Sequence, residues 1–280
     1  MTNKELLAKY LEFLTARGKS KAYYNYIRIW LNYMEENKIE TITQEVITNF
    51  FITNAQYKDG TKCCFIKAGR DYYSNFLQIP KESNEWCKIK LIKVPQRIAE
   101  YFTEKELEEA KKQLITNFSR KMTPNKIRAV LDFMYYSGCR KDELLTLKRQ
   151  DINLEENTAK LYGKGKKERI ICFPNKVKKE IEIYFNSENE ENNAFNIKLG
   201  KLHYLIKMIN KYSGGKKIHC HSFRHGYAKT CLRKGIPLPT LSRLLGHASI
   251  LTTMVYANPS EQEMKETYQE KMNKGKDNES

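Results

Sequence analysis

"DINLEENTAKLYGKGKKERIICFP", residues 151–174, is where apolar residues stop recurring every third or fourth position and begin to alternate. Two turn signals divide it, LEENT at 154–158 and GKGKK at 163–167. Together they predict a short antiparallel sheet of about three strands. On both sides the chain reads as helix. The fold class is therefore mainly α with a small antiparallel β-sheet.

Helices resume at Asn175 on the C-terminal side. On the N-terminal side, "PNKIRAVLDFMYYSG" is an apolar helix closed by Gly138. Before it, "FTEKELEEAKKQL" opens with Thr103 and Glu106 at capping-box spacing. Residues 1–79 read as four further helices with their own apolar faces. Leu6, Leu7, Tyr10, Leu11 and Leu14 share one face, and Gly18 ends that helix. Ser20 is the expected cap of the next, which carries Tyr23, Ile27, Trp30, Leu31 and Met34; Thr43 is the cap of a third, with Val46, Ile47, Phe50 and Phe51. The aromatics of this bundle are read as packing residues. Between Pro80 and Pro95 a lysine-rich piece breaks the helical pattern and reads as an extended linker. The expected organisation is a helical domain over 1–79, a linker over 80–100, a second domain over 101–259, and a C-terminal helix and tail over 260–280. The last residues, "KGKDNES", are expected to be disordered.

The formal net charge of +17 points to a polyanion, with nucleic acid the leading partner. The bland alternative is a lysine-rich surface without function. No apolar run approaches the roughly 18 residues of a membrane span. The amphipathic, charged start "MTNKELLAKYLEF" is not a secretory signal. Seven cysteines, an odd number that includes the adjacent Cys63 and Cys64, suit reduced thiols in a cytoplasm.

Four local features carry chemistry. "SGCRKDELLTL" places Arg140 just after a glycine-ended helix, and "YGKGKKERI" places Lys164 on the β-turn. "HCHSFRHGYA" places His221, Arg224 and His225 along one helix face, and "LLGHASILTTMVYA" supplies His247 and Tyr256. Singly, each has a dull reading. Arg140 can pair with Glu143 or cap a helix. GKGKK lacks P-loop spacing and can be a solvated turn. His219, Cys220, His221 and His225 can suggest zinc, but no further paired ligands stand at familiar spacing. Together they suffice to attack a phosphodiester without a metal. Two guanidiniums, Arg140 and Arg224, would clamp the nonbridging oxygens. A phenol of ordinary pKa about 10 needs a proton acceptor and a positive field, which His221 and His247 can supply. Lys164 can protonate the departing oxygen, with Lys166 the reserve. Tyr256 would hold the strand covalently, so that no ATP is needed.

The order Arg140, Lys164, His221-x-x-Arg224, His247, Tyr256 resembles the tyrosine recombinases, the phage-integrase, XerC/XerD and archaeal XerA-like family. "GCRKDELLTLKRQDIN", "GKGKKERIICFP", "HSFRHGYAKTCLRKG" and "LLGHASILTTMVYA" resemble its four boxes, over roughly Phe102 to Asn258. Cys139, Phe223 and Asn258 depart from the commoner residues, and none of them removes a catalytic group. The resemblance implies that those six residues are catalytic, with Tyr256 the nucleophile. It implies a helical, SAM-like core-binding domain and a catalytic domain that form a C-shaped clamp on double-stranded DNA. It also implies a 3′-phosphotyrosyl intermediate, a Holliday junction, and a homo-tetramer on two specific sites that is compatible with a monomer when free. No cofactor, metal or membrane enters, and the expected place is the cytoplasm, at the nucleoid. The apolar stripe Met264, Tyr268 and Met272 docks either on a neighbouring subunit or on its own. Two other readings are a type IB topoisomerase, disfavoured by the compact length and the helical first domain, and a non-catalytic DNA-binding regulator, disfavoured by the complete residue set.

Overall fold

Thr2 and Glu5 exchange hydrogen bonds in a capping box, and this starts α1 (Asn3–Ala16). The structure is a computed structural model and describes residues 2–92, 100–117, 122–163, 168–188, 192–259, 264–265 and 268–269. The chain divides into two compact units, Met1–Arg97 and Ile98–Ser280.

In the first unit α1 is followed by α2 (Ala22–Glu36), α3 (Gln44–Thr53) and α4 (Asp59–Asp71), which runs into a π-helical turn at Tyr72–Phe76. Thr43 caps α3 as its sequence position implies, its Oγ1 accepting from Val46 N at 3.2 Å. At α2 the cap position is Lys21 instead, and Ser20 Oγ accepts from Ala22 N. The apolar faces meet in a core of Tyr10, Leu14, Ile27, Trp30, Phe50 and Phe65.

The linker expectation needs amending for residues 84–89. A short helix, α5 (Glu85–Lys88), is capped by Asn84 and buries Trp86 in this core. Trp86 meets Trp30 edge-on, with ring centroids 4.9 Å apart. It also lies so close over Gly69 that a Cβ there would come within 2.3 Å of its ring. Arg70 ties the segment down, donating to Trp86 O and Ile89 O. Burying an aromatic of this size contributes about 1.5–3 kcal/mol, enough to outweigh the local lysine-rich pattern.

The second unit opens with α6 (Glu104–Asn117), whose Thr103–Glu106 capping box is formed. Then come α7 (Pro124–Ser137) and α8 (Lys141–Thr146). The sheet follows, β1 (Ile152–Asn153), β2 (Thr158–Tyr162) and β3 (Glu168–Cys172), antiparallel in that order. Ala159 lies opposite both Ile152 and Ile171, and Leu161 opposite Arg169. Ala159 and Leu161 are buried while Lys160 and Tyr162 face outward, the alternation that predicted the sheet. The chain continues through α9 (Asn175–Ser187), α10 (Leu199–Ile209), α11 (Cys220–Arg233), α12 (Leu238–Leu245) and α13 (Leu251–Ala257).

Phe133, Leu161, Ile171, Phe195, Leu205 and Phe223 belong to the main core of this unit. A smaller cluster of Tyr227, Ala228, Cys231, Leu241, Leu245 and Tyr256 joins α11, α12 and α13. Tyr256 is thus placed by the packing of three helices. Among the described residues no helix is long and apolar enough to cross a membrane. Met264 and Tyr268 are exposed, while Met272 and the KGKDNES tail lie outside the described residues.

Candidate active site

Two left-handed glycines build the site. Gly138 (φ 59°) ends α7 and Gly246 (φ 64°) ends α12. A helix C-terminus presents carbonyls without intrahelical donors and a partial negative charge, so cations are held there. Arg224, on α11 and 1% exposed, donates from Nη1 to Gly138 O at 2.8 Å and from Nη2 to Leu245 O. Arg140, at the N-cap of α8, donates from Nη2 to Gly246 O at 3.2 Å. Neither glycine accepts a side chain without a clash. A Cβ on Gly138 would lie 2.4 Å from Tyr227, and one on Gly246 would lie 2.7 Å from Arg169 Cδ.

Arg224 also fixes His247. Its Nη2 lies 2.9 Å from His247 Nε2. A guanidinium only donates, so Nε2 accepts and the imidazole proton sits on Nδ1. Nδ1 in turn donates to the buried Thr253 Oγ1 at 2.8 Å. Tyr256, on α13 and 5% exposed, lies nearly parallel to the His247 ring, with centroids 6.2 Å apart. His225 meets Tyr256 edge-on at 4.9 Å and His221 at 4.7 Å, which continues the row to the solvent edge.

The local field is strongly positive. Burial pushes the His247 pKa down to about 4, helped by the charges of Arg224, Arg140 and Arg169, so its ring is neutral at neutral pH. Burial, then His221 and Arg224, push His225 down to about 4. Desolvation and the charges of Arg224 and Arg140 also lower His221. Burial brings even Arg224 down to about 10, with repulsion from Arg140 and Arg169 adding to it. Burial raises the Tyr256 phenol, while the charge and polar contact of Arg224, then Arg140, oppose the rise. A phosphate entering here would meet cations whose mutual repulsion it relieves.

Arg140, Arg224, His247 and Tyr256 therefore converge, with His221 one helical turn from Arg224 at the edge. Lys164, Lys166 and Lys167 lie outside the described residues. The flanking Gly163 and Glu168 line a cleft of about 430 Å³ together with Arg140, Arg169, Gly246 and His247. Among the described residues no group of three or more His, Cys, Asp or Glu is placed to hold a metal ion.

Sequence reasoning missed two participants. Thr253 orients His247, and Arg169 on β3 forms a two-point pair with Glu143, Nη1 to Oε1 at 2.7 Å and Nη2 to Oε2 at 2.9 Å. The signal for Arg169 was available: it shares the inward face of β3 with the buried Ile171, a position where a charge needs a partner. Glu143 was seen only as a neutraliser of Arg140.

Comparison with known proteins extends this picture. Residues 100–263 match the phage integrase family. The chain is similar to the tyrosine recombinase XerC of Bacillus licheniformis, 31% identical over 241 residues that cover 78% of this chain and 77% of that one. It is similar to XerC of Bacillus pumilus, 28% identical, with 96% of each chain covered. Its fold is similar to that of the XerH site-specific recombinase bound to a palindromic difH substrate in a post-cleavage complex. That match has a TM-score of 0.69 and 17% identity, and covers 88% of this chain and 77% of that one.

Proposed function

The chain belongs to the phage integrase family of tyrosine recombinases, enzymes that cleave and rejoin DNA, and we propose that Tyr256 is the nucleophile of its site-specific strand exchange. The observation that carries this reading is the convergence of Tyr256, Arg224, Arg140 and His247 in one positively charged cluster, of which Arg140 and His247 line the cleft.

In the proposed reaction Tyr256 Oη attacks the scissile phosphorus, and the bond from phosphorus to the 5′-oxygen breaks. The products are a 3′-phosphotyrosyl bond and a free 5′-hydroxyl. Arg140 and Arg224 hold the nonbridging oxygens, where charge accumulates in the transition state. Arg224 currently spends its Nη2 donor on Leu245 O and His247 Nε2. A phosphate that draws Arg224 onto its own oxygens frees His247 Nε2 to take the phenolic proton, with His221 alongside. Lys164, assigned by its place in the lysine turn, gives a proton to the departing 5′-oxygen. A 5′-hydroxyl from a second duplex reverses the sequence and, repeated on the other strand, resolves a Holliday junction. The phosphotyrosyl bond conserves the energy of the broken phosphodiester.

The helical first unit is assigned to DNA binding, on the basis of its helical make-up and the basic charge of the chain. The assembly is a homo-tetramer on two duplex sites, working in the cytoplasm at the nucleoid, with exchange of residues 260–280 between subunits. Support for this comes from the family relation. The test is cross-linking with paired duplexes, with and without residues 260–280. Loss of the tetramer on truncation, with single-duplex binding retained, fits the reading; an unchanged tetramer removes the exchange.

A further inference from the structure

We propose that Arg169 is a positioning residue that neutralises Glu143, so that Arg140 keeps an unspent positive charge for the scissile phosphate. The inference rests on the function proposed above.

Glu143 is the one carboxylate in direct contact with the cations of the cleft among the described residues, and its side chain is 3% exposed. Arg169 meets it with both Nη atoms, in the parallel fork that guanidinium and carboxylate share. Arg140 meets it with a single side-chain contact, Nη1 to Oε1 at 3.1 Å. The second Arg140 donor goes to Gly246 O, and its backbone N–H goes to Glu143 Oε2 at 2.6 Å. The carboxylate is therefore matched by Arg169 and only tethers Arg140.

Charge balance gives the arrangement its purpose. One buried carboxylate with one guanidinium is a closed pair with no net charge to offer. One carboxylate with two guanidiniums keeps a net positive charge. Exposure shows which arginine faces the ligand: the Arg140 side chain is 41% exposed and the Arg169 side chain 11%. Arg169 also packs on the Cα face of Gly246, whose carbonyl anchors Arg140. It thus touches both groups that hold Arg140 in place. Without Arg169, Glu143 would be a buried charge whose remaining charged partner among the described residues is Arg140, and the pair would close. A lysine at 169 keeps the positive charge but not the two-point fork, so it is expected to restore the arrangement only in part.

The test uses the full chain and a nicked duplex bearing the cleavage sequence recovered from wild-type adducts on a randomised duplex pool. Adduct formation is timed in single turnover at saturating protein, with DNA affinity followed across salt and thermal melting in parallel. Arg169→Leu is expected to slow cleavage roughly 30-fold, less than the loss of a direct oxyanion donor, with a lowered salt slope as Arg140 is drawn onto Glu143. Glu143→Gln in the Arg169→Leu background is expected to recover about tenfold, because it removes the charge that Arg169 balanced. Arg169→Lys, which keeps the charge without the fork, is expected to cleave at a rate between wild type and Arg169→Leu, and the uncharged polar Arg169→Gln keeps the test open if Arg169→Leu does not fold. Wild-type cleavage by Arg169→Leu or Arg169→Gln, cleavage by Arg169→Lys no faster than by Arg169→Leu, or no recovery in the double variant, overturns the proposal. So does a salt slope that stays lowered by about one in the Arg169→Leu/Glu143→Gln double variant, which would make Arg169 itself a phosphate ligand. Absence of any wild-type adduct defeats the proposed function itself, whereas wild-type adduct with unaffected Arg169 variants defeats this inference alone.

Discussion

Arg224 Nη2 lies 2.9 Å from His247 Nε2, and because arginine only donates, this contact sets the tautomer of the histidine. The proton is placed on Nδ1, where Thr253 receives it. A neutral imidazole in this tautomer can accept a proton on Nε2 once Arg224 turns to a phosphate.

Thr253→Val tests that chain of contacts. The shapes match, but His247 Nδ1–H loses its acceptor, an unmet buried donor that costs about 1–3 kcal/mol. Single-turnover cleavage is expected to fall roughly 5- to 100-fold with DNA affinity unchanged. Cleavage at the wild-type rate in a folded Thr253→Val variant would show that Thr253 does not govern the histidine.

Acid sensitivity follows from the histidines. His247 and His225 have pKa values pushed down to about 4 in the fold, against an ordinary 6.5. Their contribution to stability is complete above 6.5, where both states are neutral. It declines as pH falls from 6.5 toward 4, because the unfolded chain takes up protons that the folded one refuses. The melting temperature is expected to drop across that window, and His225→Phe should flatten part of the drop. A pH profile for His225→Phe that superimposes on wild type would contradict the assignment.

Trp86 provides a stability test away from the cleft. Trp86→Ala removes a fully buried side chain packed on Trp30 and Gly69, and should destabilise the first unit by about 3–5 kcal/mol in denaturant titration. A residue in a merely extended linker would give a negligible change.

These cases mark what the sequence made legible. Thr43, the Thr103–Glu106 box, Gly138 and the 151–174 strands are local decisions, made within a few residues by hydrogen bonds and side-chain period. That Arg140 and His247 stand just past helix ends was legible because Gly138 and Gly246 lie beside them in sequence. Trp86 was not, because distant partners decide its burial: Trp30 on α2 and Gly69 on α4. Arg169 and Glu143 stand 26 positions apart and meet only once the sheet packs near α8. Thr253 meets His247 across the bend between α12 and α13, a contact no helical period encodes.

The chemistry assigned to Arg140 and Arg224 leaves no task for a divalent ion. Adduct formation is expected to proceed equally in excess chelator and in magnesium. A strict requirement for added metal would remove the two-guanidinium account of transition-state charge.

The most direct measurement is covalent capture. Wild-type protein incubated with nicked duplexes should yield a denaturation-resistant protein–DNA adduct, with the 3′-phosphate on the peptide that contains Tyr256. Tyr256→Phe should bind the same DNA with unchanged affinity and yield no adduct. An adduct that persists in Tyr256→Phe, or one mapped to another residue in wild type, would contradict the assignment of Tyr256 as nucleophile.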